Sequence, residues 1–167
     1  EPWAIHAFVR HEQGDTSAVG EYGMSTLGRE RIFEHFSRTW SIPISIIRLN
    51  YAVEMRYGVL HDVAGAVRDQ RPVDVTMGWA DVIWQGDANA IALECLTHAA
   101  SPPYVVNVTG AERLSVRAVA TTMGARLGRE PRFVHAEAAD ALLSDTLRMA
   151  ADFAPPAVPA AALIEWV

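Results

Sequence analysis

The sequence predicts a protein of the α/β class, because short apolar segments typical of strands alternate with longer segments whose apolar residues recur at helical spacing. The clearest strand is residues 104–108, which read Tyr-Val-Val-Asn-Val. The clearest helix is residues 88–99, where apolar side chains recur at positions 88, 91, 92, 95, 96 and 99. Half of the 167 residues are hydrophobic, which is enough to bury the core of one domain.

The first helix is expected to begin near Tyr22 and to end near Trp40. It follows residues 11–21, a surface loop rich in Gly, Asp, Ser and Glu. One stripe of this helix carries large apolar side chains at the spacing of a buried face. These side chains are Ile32, Phe33, Phe36 and Trp40.

The rest of the chain continues the alternation of strands and helices. Pro43 ends the first helix, and the isoleucine-rich residues 44–49 favour a short buried strand. Asp87 is expected to cap the clearest helix, and Gly128 is expected to end a helix that begins at Ser115. The other expected elements are a helix at residues 59–70, strands at 73–76, 81–84 and 132–135, and a short closing helix after the Pro- and Ala-rich segment from residue 155.

Composition narrows the function classes. The formal net charge is −6, and the arginines are scattered among 20 carboxylates, so nucleic-acid binding is not expected. Cys95 is the only cysteine, and the six histidines show no metal-binding spacing, so no disulfide and no metal site are expected. No apolar run has the roughly 18 residues of a membrane span. A cytoplasmic location is therefore the default expectation.

The most informative motif lies at the start of the first helix. Residues 22–26 read Tyr-Gly-Met-Ser-Thr, and Glu30 and Glu34 follow on the same helix. In the extended short-chain dehydrogenase/reductase family, the NAD-dependent epimerases and dehydratases, an active-site helix carries Tyr-x-x-x-Lys and then an acidic residue. The helix from Tyr22 resembles that one, except that Thr26 occupies the lysine position. All 14 positively charged side chains of the chain are arginine.

Four later segments resemble the same family in the same order. They are Arg-Leu-Asn-Tyr at 48–51, Trp-Gln-Gly-Asp-Ala at 84–88, Tyr-Val-Val-Asn-Val-Thr-Gly at 104–110 with Leu-Ser-Val at 114–116, and Leu-Gly-Arg-Glu-Pro at 127–131. Each segment alone is an ordinary strand end or helix cap. Together they extend the resemblance over roughly residues 18–167 and imply the C-terminal part of a doubly wound Rossmann-like sheet plus a small substrate-binding lobe.

The resemblance implies an activity and a set of site residues. Tyr22 would be the catalytic residue, and Asn50 and Tyr51 would line the pocket of the nicotinamide cofactor, NAD or NADP. The substrate would be a nucleotide sugar or a related hydroxyl or carbonyl compound. The helix of Tyr22 would pack against its counterpart in a homodimer.

The missing lysine bears directly on the chemistry of Tyr22. A free phenol has a pKa of about 10, so it is a poor base at neutral pH unless a nearby cation favours the phenolate. In the family, the lysine one helical turn after the tyrosine supplies that charge and holds the cofactor ribose. Thr26 shares a helix face with Tyr22 but carries no charge. Arg29 is longer, permanently charged and about two turns away, so it is not an equivalent substitute. Impaired catalysis is therefore expected.

The chain also lacks the glycine-rich turn that holds a dinucleotide pyrophosphate at a helix N-terminus. If the resemblance holds, the cofactor-binding half lies upstream of Glu1, and residues 1–167 are a single partial domain.

Two alternatives to the enzyme remain open. One is a non-catalytic member of the same scaffold that binds a nucleotide or a protein partner. The other is an unrelated α/β domain, in which Tyr22 packs on the preceding loop.

Overall fold

The computed structural model describes residues 20–139 and 141–167 and has the predicted mixed α/β architecture. The helices are α1 Gly20–Trp40, α2 Val59–Arg68, α3 Gln85–Glu94, α4 Val116–Leu127, α5 Leu147–Asp152 and α6 Ala160–Trp166. The strands are β1 Ser45–Leu49, β2 Ala52–Val53, β3 Pro72–Asp74, β4 Trp79–Asp81, β5 Ile83–Trp84, β6 Tyr104–Val108, β7 Arg113–Ser115 and β8 Arg132–Val134. The strand expected at 81–84 is divided between β4 and β5, and β2, β7 and α5 were not foreseen.

The strands pair mainly in parallel. β1 pairs with β6 over five residues, from Ser45 opposite Tyr104 to Leu49 opposite Val108. The pairs β2–β5 and β3–β8 are also parallel, whereas β4 and β7 are antiparallel. Parallel pairing requires a long crossover between partners, which explains why helices separate β1 from β6 along the chain.

Two groups of buried side chains form the core. The first group lies between α2, α4 and the strands around Val75, and it includes Val67 and Ala120, which are at most 1% exposed. The second group joins Ile83, α3, β6 and α5. Full burial of one such aliphatic side chain contributes about 1.5 to 3 kcal/mol, so these two groups dominate the stability of the fold.

Helix α1 is attached to the rest of the molecule through its small and polar side. Glu30 accepts a hydrogen bond from Arg48 Nε on β1 at 3.0 Å, and a second contact joins its other oxygen to Arg48 Nη2. At the C-terminal end of α1, the buried Ser37 donates its hydroxyl to the carbonyl of Ile42 at 2.8 Å. Gly23 is the other buried residue of this helix.

The expected buried face of α1 is wrong. Ile32, Phe33, Phe36 and Trp40 are 58%, 49%, 36% and 64% exposed. The stripe that approaches the body instead carries Gly23, Glu30 and Ser37, whose small or charged side chains let the helix lie close to β1. Helical periodicity identifies an apolar face, but it does not say what covers that face.

The expected cap of α3 is also wrong. The residue at the cap position is Trp84, and the Asp87 carboxylate instead accepts a hydrogen bond from the backbone N–H of Val158 at 2.9 Å. Leu96, which was expected to face inward, is 72% exposed, because residues Cys95–His98 form a 3₁₀ turn that rotates the side chains away from α-helical spacing.

The two ends of α4 confirm the prediction made for them. The Ser115 hydroxyl accepts a hydrogen bond from the Ala118 N–H at 3.3 Å, as an N-cap does. Gly128 ends the helix in the left-handed conformation, with a φ of 62°. Leu127, the last residue of α4, is 45% exposed.

Among the residues that the structure describes, no helix has the length and apolar character needed to cross a membrane.

Candidate active site

Polar side chains gather where β1 and β6 end. Asn50 follows β1, and its backbone N–H donates to the Val108 carbonyl at 3.1 Å, which extends the strand pairing by one residue. Thr109 follows β6 and is fully buried. The carboxyl ends of parallel strands are where open α/β sheets bind their ligands, so this edge is the first place to look for a site.

Asn50 is joined to a buried carboxylate. Its side-chain Nδ2 donates to Asp81 Oδ1 at 2.5 Å and to the Leu142 carbonyl at 3.4 Å. Asp81 ends β4 and is 3% exposed, and its Oδ2 accepts a hydrogen bond from the Ser144 N–H at 2.8 Å. Residues from three separate parts of the chain therefore meet at one carboxylate.

The environment of Asp81 acts on its ionisation in two directions. Burial raises the pKa of the Asp81 carboxyl above its ordinary value, and the hydrogen bonds from Ser144 N–H and Asn50 oppose that rise by stabilising the carboxylate. A charge buried to this extent needs such partners, because an unpaired buried carboxylate is strongly unfavourable.

β6 adds two more buried polar residues. Asn107 is 0% exposed, and its Nδ2 donates to the Asp145 carbonyl at 2.9 Å, so the segment at residues 142–145 is held from β6 as well as from Asp81. The Thr109 Oγ1 is buried and has no hydrogen-bond partner among the described residues. The next residue, Gly110, approaches Val82, between β4 and β5, so closely that a Cβ would clash with the Val82 carbonyl oxygen.

Tyr51, the second residue expected at the cofactor pocket, forms the link between β1 and β2. Its backbone has a φ of 40°, which is uncommon for a residue with a side chain, and its carbonyl accepts the Ile83 N–H at 3.2 Å. The Tyr51 ring packs, partly buried, against the first core group. The backbone turn at Tyr51 thus directs the chain away from the site just after Asn50.

The hydrogen bonds that form this polar cluster do not involve Tyr22. It is 83% exposed on the first turns of α1, and the side-chain hydrogen bonds of Asn50 go to Asp81 and Leu142 rather than to α1. Thr26 donates its hydroxyl to the Gly23 carbonyl at 2.8 Å, within its own helix. The threonine hydroxyl is therefore occupied by the backbone and not directed to the phenol of Tyr22.

Sequence reasoning missed Asp81 and the segment that it holds. Asp81 stood in the sequence as one acidic residue in the apolar run Trp-Ala-Asp-Val-Ile-Trp at 79–84. A charged residue inside such a run is a signal for a buried, paired carboxylate. Its partners are 31 residues before it and 63 residues after it, and no local pattern identifies partners at that separation.

No group of three or more His, Cys, Asp and Glu side chains that could hold a metal ion occurs within residues 20–139 and 141–167.

The fold is shared with known enzymes. The structure aligns with dTDP-glucose 4,6-dehydratase from Bacillus anthracis str. Ames in complex with NAD, with a TM-score of 0.78 and 12% identity over 96% of this chain and 56% of that one. It also aligns with UDP-glucuronic acid 4-epimerase from Bacillus cereus in complex with NAD, with a TM-score of 0.77 and 16% identity over 98% and 55% of the two chains. The chain has the fold of the C-terminal portion of these epimerases and dehydratases.

A third structure extends the comparison to the other nicotinamide cofactor. RMD from Pseudomonas aeruginosa, complexed with NADPH, aligns with a TM-score of 0.75 and 14% identity over 95% of this chain and 57% of that one. The chain thus spans little more than half the length of the epimerase and dehydratase structures that it matches. No known protein-family model matches the sequence, and no curated protein sequence is significantly similar to it.

This match confirms the expected α/β fold and the resemblance to the NAD-dependent epimerases and dehydratases. It does not test the roles expected of Tyr22, Asn50 and Tyr51, which stay predictions.

Proposed function

We propose that this chain supplies the tyrosine helix and the substrate side of an NAD(P)-dependent epimerase/dehydratase-like oxidoreductase with impaired proton transfer. Its substrate would be a nucleotide sugar or a related hydroxyl or carbonyl compound. The observation that carries the proposal is the fold, which is that of epimerases and dehydratases crystallised with NAD. The position of Tyr22 at the start of α1 supports its assignment as the proton-transfer residue.

The residues present fit only one end of a nicotinamide dinucleotide. Asn50 offers a polar side chain at the carboxyl edge of β1, where the nicotinamide carboxamide would find a hydrogen-bond partner. Nothing in the 167 residues fits the pyrophosphate, because the glycine-rich turn is absent. When bound, the cofactor supplies hydride exchange, and the part of this chain is to hold the substrate and to move a proton at the Tyr22 hydroxyl. We therefore expect the chain alone to bind NAD and NADP weakly or not at all.

The test uses the full-length gene product that carries this chain. Nucleotide sugars are added in the presence of NAD or NADP, and the absorbance of the reduced nicotinamide is followed. Thr26→Lys should raise the rate at least about tenfold, because a cation one turn from Tyr22 favours the phenolate. Tyr22→Phe should abolish it. If Thr26→Lys is inert while Tyr22→Phe abolishes the rate, the tyrosine is activated by another group and the charge argument fails.

A second candidate is a non-catalytic member of the scaffold that binds a nucleotide or a protein partner. The observation that favours it is the Thr26 hydroxyl, which bonds its own backbone at Gly23 and leaves Tyr22 without a cationic neighbour one turn on. This candidate predicts unchanged nicotinamide absorbance with every nucleotide sugar and no effect of Tyr22→Phe on binding.

The partner of α1 is proposed to be a second copy of the chain. The outward stripe at Phe33, Phe36 and Trp40 is apolar, and the Phe36 and Trp40 rings stack with centroids 4.6 Å apart. An exposed apolar face of this kind is typical of an interaction surface. Size-exclusion chromatography with light scattering should show a dimer that Trp40→Glu dissociates. Leu96→Glu, at an equally exposed leucine on another element, should leave it intact, and a concentration-independent monomer would contradict the proposal.

A further inference from the structure

The orientation of the Asn50 side-chain amide is fixed by its neighbours. Asp81 Oδ1 lies 2.5 Å from Nδ2 and the Leu142 carbonyl oxygen lies 3.4 Å from it. An ionised carboxylate and a backbone carbonyl accept hydrogen bonds and cannot donate them. Turning the amide over would place its oxygen against two other oxygens, so the NH₂ group faces the protein.

This orientation leaves the carbonyl oxygen Oδ1 as the group that Asn50 offers to a ligand. The described residues give Oδ1 no hydrogen-bond partner, and the Asn50 side chain is only partly buried. A carbonyl oxygen accepts a hydrogen bond. The doubly esterified pyrophosphate of a nucleotide sugar or a dinucleotide presents only acceptors, and the buried negative charge of Asp81 directly behind the amide adds to the repulsion.

We propose that Asn50 binds a neutral hydrogen-bond donor of the ligand, a hydroxyl or a carboxamide N–H, and selects against a phosphate at this position. The inference rests on the proposed function for the claim that this edge is the ligand site. It adds the chemistry that the site recognises.

Asp81 is the positioning residue for this selection. Each of its oxygens has one partner, Asn50 on one side and the Ser144 N–H at 2.8 Å on the other, so the carboxylate is held against rotation. An asparagine at position 81 has one acceptor oxygen and one NH₂ group. It cannot accept from both partners, and its NH₂ group can donate to Asn50 Oδ1. Asp81→Asn is therefore expected to let the Asn50 amide reverse and present its NH₂ group outward.

The experiment follows the Asn50 side chain by NMR in the full chain, with glucose, nicotinamide and dimethyl phosphate as millimolar probes. Dimethyl phosphate is an ionised phosphate diester with no hydrogen-bond donor. In the wild type, the Nδ2 proton bonded to Asp81 should resonate downfield and exchange slowly, because a charge-assisted hydrogen bond is short and strong. Glucose or nicotinamide should shift the Asn50 side-chain resonances, and dimethyl phosphate should not. A response to glucose identifies a hydroxyl as the donor, and a response to nicotinamide identifies a carboxamide.

Asp81→Asn should abolish the downfield signal and weaken the neutral probe about fivefold to tenfold, the value of one hydrogen bond. It should also let dimethyl phosphate shift Asn50. Asp74→Asn removes the same charge from the end of β3 without contacting Asn50 and should change none of these results. Overturning outcomes are a wild-type Asn50 that responds to dimethyl phosphate, one that responds to no neutral probe, or an Asp74→Asn variant that behaves like Asp81→Asn.

The NMR readout is independent of turnover. If Asn50 responds as expected while the full-length protein shows no nicotinamide absorbance change, the oxidoreductase proposal fails and the recognition chemistry stands. If turnover is found and wild-type Asn50 responds to dimethyl phosphate, the reverse holds.

Discussion

Helix α1 and the body of the molecule, residues 41–139 and 141–167, are stabilised by different kinds of interaction. The body buries aliphatic side chains such as Ile83 and Val106 almost completely and gives its buried carboxylate Asp81 two partners. α1 turns its aromatic stripe outward and is attached by an ion pair and a few hydrogen bonds. The polar cluster at Asn50 and Asp81 is therefore held by the chain's own core, whereas the position of α1 depends on polar contacts.

The largest expected effect tests the body. Ile83→Ala should lower the free energy of unfolding by about 3 kcal/mol, because it removes a fully buried side chain from the second core group. Ile32→Ala is the matched control on α1, where the side chain is 58% exposed, and it should cost less than about 0.5 kcal/mol. Urea unfolding of dilute, monomeric protein measures both. Equal losses would mean that α1 is packed as firmly as the body.

A smaller effect tests the attachment of α1. Glu30→Gln should cost about 1 to 3 kcal/mol, because both side chains of the Glu30–Arg48 pair are only 12% exposed and the change removes the charge-assisted hydrogen bonding between them. Glu34→Gln breaks an exposed pair with Arg31 within the same helix and should cost at most about 0.5 kcal/mol. Hydrogen exchange should show α1 deprotected selectively in Glu30→Gln. Uniform deprotection of α1 and β6 would show that the helix is not a separate unit.

The smallest effect concerns a carboxylate of the body that water still reaches. Hydrogen bonds from the Thr76 hydroxyl and N–H, with His135 nearby, lower the pKa of Asp74 to about 2. A lowered folded-state pKa gives stability that is present above the unfolded value of about 4 and lost as the pH falls toward 2. Urea midpoints of the wild type and Asp74→Asn should therefore differ at pH 5 and converge near pH 2. A difference that grows on acidification would have the wrong sign.

Much of the fold could be predicted from the sequence, because the patterns that identify its helices and strands involve residues close together in the chain. Apolar runs and helical spacing placed α1, β1, α2 and β6 within a few residues of their bounds. The cap at Ser115 and the glycine at 128 located both ends of α4, since these signals act over one turn. α5 was not predicted, because it has only six residues and one buried side chain, Met149.

The candidate site was less predictable, because its contacts are between distant residues. Asn50 was identified through a family resemblance, whereas its partner Asp81 and the segment at 142–145 have no local signature. The aromatic stripe of α1 shows the same limit, since the spacing of Phe33, Phe36 and Trp40 is equally compatible with a core and with an outward face. What covers a face is a property of the rest of the molecule.

The hydrogen bonds to the closing helix bear on how the chain folds. The Asp87 carboxylate accepts a hydrogen bond from the Val158 N–H, 71 residues later, and the Glu112 carboxylate accepts one from the Ala160 N–H, 48 residues later. Contacts of such sequence separation form late, because closing a long loop costs chain entropy before any contact repays it. Before α6 docks, both carboxylates are hydrated. Water also reaches the core position that the Leu163 side chain fills in the folded protein. We therefore expect the docking of α6 to be a late step in folding.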